Sequence, residues 1–97
     1  MTHRFHPEAE AEHYGAVAYY ESKRAGLGVS YLEEFDELLK RVTERPHAFH
    51  IERSPDIRRA HLVRFPYAVI YREVGGVVQV LAIAHKRRQP GYWARRS

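Results

Sequence analysis

The sequence contains no cysteine, and this absence excludes disulfide bonds and thiolate metal sites. It also lacks an apolar run of the roughly 18 residues that a membrane-spanning helix needs, and its first residues show no apolar core of a signal peptide. From these absences we expect a cytoplasmic protein. Carboxylates are scarce in the second half: residues 57–97 carry one Asp or Glu against nine Lys or Arg, whereas residues 1–56 carry eleven against seven. Because the net charge of +4 is segregated in this way, the C-terminal half is a candidate surface for polyanions or acidic partners.

The C-terminal third, residues 65–93, contains two runs rich in β-branched and aromatic residues. They are separated by Gly75 and Gly76, and glycine adopts the positive φ angles of a tight hairpin turn without strain. The pattern therefore predicts a β-hairpin. Directly after its second strand come four consecutive basic or titratable residues, His85 to Arg88, so we expect any chemistry to lie where that strand ends.

Two amphipathic helices are predicted before the hairpin. Pro7 suits the first turn of a helix, where a missing N–H is not needed, and Gly26 is typical of a C-terminal cap. Ser30 and Glu33 have the spacing of a capping box at the start of a second helix. Apolar positions in that helix recur at steps of three and four until Pro46 ends it. Because only a few residues join the two helices, they should form an antiparallel hairpin.

The remaining segments complete the predicted fold. Residues 2–6 are interpreted as a short strand, residues 46–56 as a loop with two prolines and a Ser-Pro-Asp turn, and residues 57–65 as a strand. The element order is then β-α-α-β-β-β. We predict an α+β fold in a single domain, residues 1–97, with the helical hairpin packed on one face of a mainly antiparallel four-stranded sheet.

Short motifs occur in a fixed order along these elements. They are Leu27-Gly28 followed by Tyr31-Leu32, then Pro46, the run Arg64-Phe-Pro-Tyr-x-Val-x-Tyr71, and His85-x-x-Arg-x-Pro-x-Tyr-Trp93. Over nearly the whole chain these motifs resemble the RelE/ParE superfamily of toxins from type II toxin-antitoxin modules, the plasmid stabilisation type.

The resemblance implies a toxin that inhibits growth, and the superfamily holds two activities. ParE-like members inhibit DNA gyrase with no established nuclease chemistry, whereas RelE-like members are metal-independent endoribonucleases that cut messenger RNA in the ribosomal A site. Members of both branches are neutralised by a co-encoded antitoxin whose C-terminal segment wraps the toxin. By resemblance, the expected partners are a cognate acidic antitoxin and, as target, either DNA gyrase or the ribosome with its mRNA.

Metal-free RNA cleavage needs a base for the 2′-hydroxyl proton, an acid for the leaving 5′-oxygen and fixed cations for the charge on the phosphate. If the chain is a ribonuclease, the strand entering the hairpin and the hairpin exit supply these groups as Arg64, His85, Arg88 and Tyr92. By resemblance, Arg64 and Tyr92 lie near the strand arginine and the C-terminal tyrosine of RelE-like toxins. Ala68 stands where those toxins carry a second arginine, and their paired lysines have no counterpart here. The ParE-like branch is therefore favoured, and the question of enzyme activity stays open.

The same residues also have structural interpretations. His85 at a strand end can bond to the backbone, and Arg64 and Arg88 can form surface ion pairs of small energy. Tyr92 and Trp93 can fold the tail back over the sheet, with the apolar ring bodies as an anchor.

Other residues are predicted to contact partners. The basic surface suits binding of the target or of nucleic acid through Arg59, Lys86, Arg87 and Trp93. An antitoxin helix or strand is expected beside the helical hairpin, on Tyr31, Leu32, Phe35 and Leu39 or the tyrosines next to them.

We expect no metal and no cofactor. The pairs His3/His6 and His47/His50 have a spacing that metal ligands can use, but no cysteine or clustered carboxylate accompanies them. An alternative interpretation of another class is a non-toxic basic module that binds nucleic acid.

Overall fold

The computed structural model describes residues 2–97 of the predicted single domain, and Met1 lies outside the described residues. The strands are β1 (Thr2–Phe5), β2 (His50–Arg53), β3 (Ile57–His61), β4 (Tyr67–Val74) and β5 (Val77–His85). The helices are α1 (Pro7–Lys23) and α2 (Leu27–Glu44), and a short 3-10 turn follows at Ala94–Arg96. Within residues 2–97, no helix is long and apolar enough to cross a membrane.

The sheet has five strands in the order β1-β5-β4-β3-β2, and every neighbouring pair is antiparallel except β1 with β5. The predicted α+β class and helical hairpin are confirmed, but the count of four strands was wrong. Residues 46–56, predicted as a loop, contain β2, which pairs with β3 at the sheet edge. An edge strand needs only one partner, and Pro46 and Pro55 flank β2 without interrupting its hydrogen bonds.

The strand predicted over residues 57–65 ends early, at His61. Leu62 N–H donates to the carbonyl of Tyr67, and Tyr67 N–H donates to that of Phe65, so the chain turns there instead of extending. Arg64 therefore lies in the β3–β4 loop and not on a strand, which corrects its predicted placement.

The predicted hairpin is confirmed as β4 and β5 joined by Gly75 and Gly76, whose φ angles are 57° and 82°. Its pairing shifts by one residue because Ile70 opposes Ala82 while Tyr71 opposes Val80. Leu81 is thus the extra residue of a β-bulge, and a bulge exchanges the faces to which later side chains point. As a result His85 lies on the helix-covered face, beside its partner Tyr67.

The helix starts are fixed by side chains. His6 caps α1, since its Nδ1 accepts from Glu8 N–H at 3.1 Å. The predicted Ser30–Glu33 capping box was wrong, because α2 begins one turn earlier, at Leu27. The carboxylate of Glu21 on α1 instead accepts from the N–H groups of Gly26 and Gly28 at about 3.0 Å. One helix therefore caps the next, and this contact sets the helical hairpin.

Two apolar clusters lie on opposite faces of the sheet. The larger cluster, between sheet and helices, contains the buried side chains of Tyr31, Phe35, Leu38, Val69 and Tyr71. The smaller cluster, on the other face, consists of Ile57, Ala68, Ile70, Leu81, Ala82 and Trp93. The tail of the chain therefore covers part of the face that the helices leave open.

Candidate functional site

A groove of about 680 Å³ lies between the β3–β4 loop and the C-terminal tail, on the sheet face opposite the helices and around the strand ends, where it includes Tyr67 and His85 of the helix-covered face. We call it the open-face groove. Its lining combines apolar side chains from the strands with cations from the strand ends, loop and tail. The cations are Arg59, Arg64, Lys86 and Arg88, and the two histidines are His61 and His85. Within residues 2–97, no Asp or Glu lines it, so the local potential is positive.

The predicted catalytic set, Arg64, His85, Arg88 and Tyr92, lines this one groove. Arg64 is bound at the groove rim to α2: its Nε donates to Glu34 at 3.4 Å and its terminal nitrogen to the Ser30 carbonyl at 3.4 Å. Glu34 also accepts from the backbone N–H groups of Val63 and Arg64. Glu34 therefore fixes the β3–β4 loop, and the Arg64 side chain stays 61% exposed.

His85 is the last residue of β5, and its ring meets that of Tyr67 edge to face with centroids 5.0 Å apart. Its Nδ1 accepts from the Arg87 N–H at 3.0 Å. In the neutral ring Nδ1 is then the acceptor and Nε2 carries the proton. His85 can therefore donate a hydrogen bond from Nε2, but its proton-accepting nitrogen is occupied.

Tyr92 directs its hydroxyl away from the groove. The hydroxyl donates to Glu12 of α1 at 2.8 Å, and the Arg88 guanidinium lies over the ring, 3.9 Å from its centroid. Burial raises the pKa of the Tyr92 phenol, and the Glu12 carboxylate raises it further. The phenol therefore stays protonated, and its O–H group donates to the Glu12 carboxylate.

Glu12 and Arg96 form a contact that the sequence did not reveal. Arg96 donates to both oxygens of Glu12 at 2.9 and 3.0 Å, and Glu12 also accepts from Ile83 N–H at 3.0 Å. Arg96 further donates to the Leu81 carbonyl at 3.1 Å. We call the set Glu12, Tyr92 and Arg96 the C-terminal clasp. It occupies the edge of β5 beyond the end of β1, which pairs only as far as Val80.

The clasp gave no sequence signal, because Glu12 lies 80 residues from Tyr92 and 84 residues from Arg96. Glu12 resembled the other carboxylates near the start of α1, which favour the positive end of the helix dipole. The clasp nonetheless ties the tail to α1 and so sets the position of Arg88 and Tyr92 in the open-face groove.

The residues predicted to bind a target or nucleic acid lie in different places in the structure. Arg59 lines the groove and pairs with Glu52 at 2.6 Å, and Lys86 is exposed at its rim. Arg87 turns to a second groove beside Tyr19, Tyr20 and Tyr67. Trp93 also lines the groove, but it is only 2% exposed and packs in the smaller apolar cluster, so its ring stabilises the fold and its predicted binding role stays a prediction.

The residues predicted to bind an antitoxin are mostly core residues. Tyr31, Phe35 and Leu39 are buried between the helices and the sheet, and Leu32 is partly buried beside them. Burial raises the pKa of Tyr31, whose hydroxyl lies 3.3 Å from His13 Nδ1. This chain's own packing already uses the surface of Tyr31, Phe35 and Leu39, and their contact with an antitoxin stays a prediction.

Comparison with known proteins identifies the family. The family described as "ParE toxin of type II toxin-antitoxin system, parDE" matches residues 3–90. This chain belongs to the ParE toxin family. A similar solved structure is described as the chromosomal ParDE TA system from P. aeruginosa, with a TM-score of 0.75 at 18% identity over 88% of this chain and 95% of that one. No curated protein matches the sequence.

The structural match shows the same fold, and the family match places this chain among the toxins of type II toxin-antitoxin systems. The matched residues of this ParE-family chain include most of the open-face groove and end at Pro90, before the clasp residues Tyr92 and Arg96. In the part of the chain that the structure describes, no group of three His, Asp or Glu side chains could hold a metal ion.

Proposed function

We propose that this ParE-family chain is a toxin that inhibits DNA gyrase by binding it, and that it cuts no nucleic acid. The observation that carries the proposal is the bonding of His85 and Tyr92. Nδ1 of His85, the ring nitrogen that would take up a proton, accepts a hydrogen bond from the Arg87 N–H. The Tyr92 hydroxyl donates its hydrogen bond to Glu12.

A ribonuclease that used these two groups would need them free as proton acceptor and donor toward the RNA. What remains accessible in the groove is charge: Lys86 is exposed, Arg88 is exposed above Tyr92, and neither forms an ion pair within residues 2–97. Fixed cations without an acid–base pair suit the binding of an acidic protein surface better than cleavage of a phosphodiester. Family membership supports gyrase as that protein.

We further propose that a co-encoded acidic antitoxin binds the toxin and neutralises it. In this ParE-family chain the positive C-terminal half offers the complementary charge, which speeds association with an acidic partner.

The test is a DNA supercoiling assay with purified gyrase and the purified chain, run beside a ribosome-dependent mRNA cleavage assay. We expect supercoiling to be inhibited and the mRNA to stay intact. Lys86→Glu should lower inhibitory potency about ten-fold, since reversal of a charge at an interface costs about 1.4 kcal/mol or more. The matched control Lys40→Glu, on the exposed surface of α2, should keep full potency. Cut mRNA with unimpaired gyrase would instead establish the RelE-like ribonuclease.

A further inference from the structure

A second groove, of about 590 Å³, lies at the hairpin exit on the helix side of the sheet. We call it the tyrosine groove. It is lined by Tyr19, Tyr20 and Tyr67 and by the consecutive residues His85, Lys86 and Arg87. Within residues 2–97, no Asp or Glu lines it, so Lys86 and Arg87 make the local potential positive. Its volume lies in the range of small-molecule sites, which is about 300–1,000 Å³.

The aromatic rings of the tyrosine groove form a continuous row. Tyr19 and Tyr20 meet edge to face with centroids 5.2 Å apart, and the centroids of Tyr20 and Tyr67 are 6.2 Å apart. Tyr67 in turn meets His85 at 5.0 Å. Tyr19 is 53% exposed, even with the Lys23 ammonium 5.0 Å from its ring centroid. The outer end of the row therefore offers ring surface on which a planar heterocycle can stack.

The hydrogen-bond donors of this groove lack acceptors in the molecule. Within residues 2–97, the hydroxyls of Tyr19, Tyr20 and Tyr67 form no hydrogen bond, unlike those of the chain's other tyrosines that are not exposed. Burial raises the pKa of the Tyr20 and Tyr67 phenols, so both hydroxyls stay protonated at neutral pH. His85 adds an Nε2–H donor, because its Nδ1 accepts from the Arg87 N–H. Such a set of donors favours a ligand that carries anionic oxygens.

The two cations of the groove are also free to bind such a ligand. Lys86 and Arg87 are exposed, and neither forms an ion pair within residues 2–97. Two neighbouring cations match a phosphate monoester, whose charge at neutral pH is about −1.5 to −2. A guanidinium such as that of Arg87 can bind phosphate through two parallel hydrogen bonds.

The extent of the ring row discriminates between a single nucleotide and a strand of nucleic acid. A strand is bound where successive bases each find an aromatic ring. Beyond His85, the open-face groove offers no such ring, because Trp93 is buried and Arg88 lies over the ring of Tyr92. Stacking surface and phosphate-binding groups thus occur together in the tyrosine groove alone.

We propose that the tyrosine groove binds a nucleoside monophosphate. The base stacks on the Tyr19 ring, and the phosphate lies beside Lys86, Arg87 and the Nε2–H of His85. The hydroxyls of Tyr20 and Tyr67 donate to oxygens of the sugar and the phosphate. This site adds a small-molecule ligand to a chain whose proposed partners are proteins.

The first test is calorimetry on the full chain with AMP as the probe. We expect saturable binding with a Kd of about 1 mM or lower. Adenosine and inorganic phosphate, titrated separately, should each bind at least ten-fold more weakly, because each makes only part of the contacts. No saturation up to about 10 mM AMP would overturn the proposal. So would equal affinity for inorganic phosphate, which would leave the rings without a role. Tighter binding of a 12-residue oligothymidylate than of AMP would assign the groove to nucleic acid instead.

A second measurement tests the residues, using exposed positions whose replacement should leave the fold intact in circular dichroism. Tyr19→Ala should weaken AMP binding about ten-fold, because it removes the stacking surface. The matched control Tyr14→Ala, 64% exposed on the same helix, should change the affinity less than two-fold. Arg87→Ala should weaken binding at least ten-fold, whereas Arg95→Ala, which removes the same charge outside both grooves, should have less than a two-fold effect. Unchanged affinity in Tyr19→Ala or Arg87→Ala, or equal losses in the controls, would overturn the site.

Discussion

In the C-terminal clasp, a single residue of α1, Glu12, binds the tail of the chain. Glu12 accepts four hydrogen bonds, one from Tyr92, two from Arg96 and one from the Ile83 backbone, at 2.8 to 3.0 Å. Glu12→Ala removes all four acceptor contacts at once. It leaves Arg96, whose side chain is only 10% exposed, with Glu8 at 3.8 Å as its remaining carboxylate.

The size of the effect follows from the burial of the partners. Breaking a fully buried ion pair by removing one partner costs about 3–5 kcal/mol, and exposed pairs contribute about 0–1 kcal/mol. The side chain of Glu12 is 19% exposed, so this pair lies nearer the buried limit. We expect Glu12→Ala to lower the free energy of unfolding by about 2–4 kcal/mol. For a domain of this size that corresponds to a fall in Tm of roughly 10–25 °C.

The assay is urea unfolding followed by circular dichroism, with limited proteolysis to show whether the tail detaches. The control is Glu10→Ala, on the same helix, where the carboxylate is exposed; it should cost less than about 1 kcal/mol. In Glu12→Ala, cleavage should concentrate at Arg87, Arg88 and Arg95. Equal stability of the two variants, with an uncleaved tail in both, would refute the role of the clasp.

Three further predictions concern the fold. Tyr71 donates to the Pro46 carbonyl at 2.6 Å and burial raises the pKa of its phenol to about 12, so Tyr71→Phe should cost about 1 kcal/mol in urea unfolding; an unchanged midpoint would contradict this. Gly15→Ala should raise the free energy of unfolding by about 0.5–1 kcal/mol, because the added Cβ meets nothing within 4 Å. Gly28→Ala should lower the free energy of unfolding, because its Cβ would lie 2.9 Å from the Val17 carbonyl oxygen. Effects of the same sign in the two variants would contradict the prediction. Burial lowers the pKa of His13, so the fold favours the neutral ring and loses stability as pH falls below the unfolded imidazole pKa of about 6.5. In unfolding series between about pH 7.5 and 5.5, His13→Gln should flatten this dependence of stability on pH. A slope equal to that of the parent protein would disprove the prediction.

The sequence was informative where local chemistry decides the structure. Gly75 and Gly76 predict the hairpin because few other residues accept their φ angles, and the apolar period of α2 predicts a buried helix face. Strand β2 gave little signal, because an edge strand buries little and Ile51 is the one aliphatic residue in it. The length of β3 was missed because the turn after His61 depends on pairing with β4.

The site was harder to predict, because its geometry depends on contacts between distant residues. Proximity of the hairpin exit to the β3–β4 loop followed from the fold, so Arg64, His85, Arg88 and Tyr92 do line one groove. The bulge at Leu81, which turns His85 to the helix side, left no pattern in the sequence. The hydrogen bond from Tyr92 to Glu12 also left no pattern in the sequence, and this bond decides whether the phenol is free to transfer a proton.

The most direct test of the central claim is induced expression of the chain without its antitoxin, with plasmid supercoiling and transcript integrity measured in the same growth-arrested cultures. We predict growth arrest with altered supercoiling and intact transcripts, reversed by co-expression of the antitoxin. Growth arrest with cleaved transcripts and normal supercoiling would contradict the account and return His85 and Arg88 to catalytic roles. Unimpaired growth would contradict the proposal that the chain is an active toxin and would favour a basic nucleic-acid-binding module.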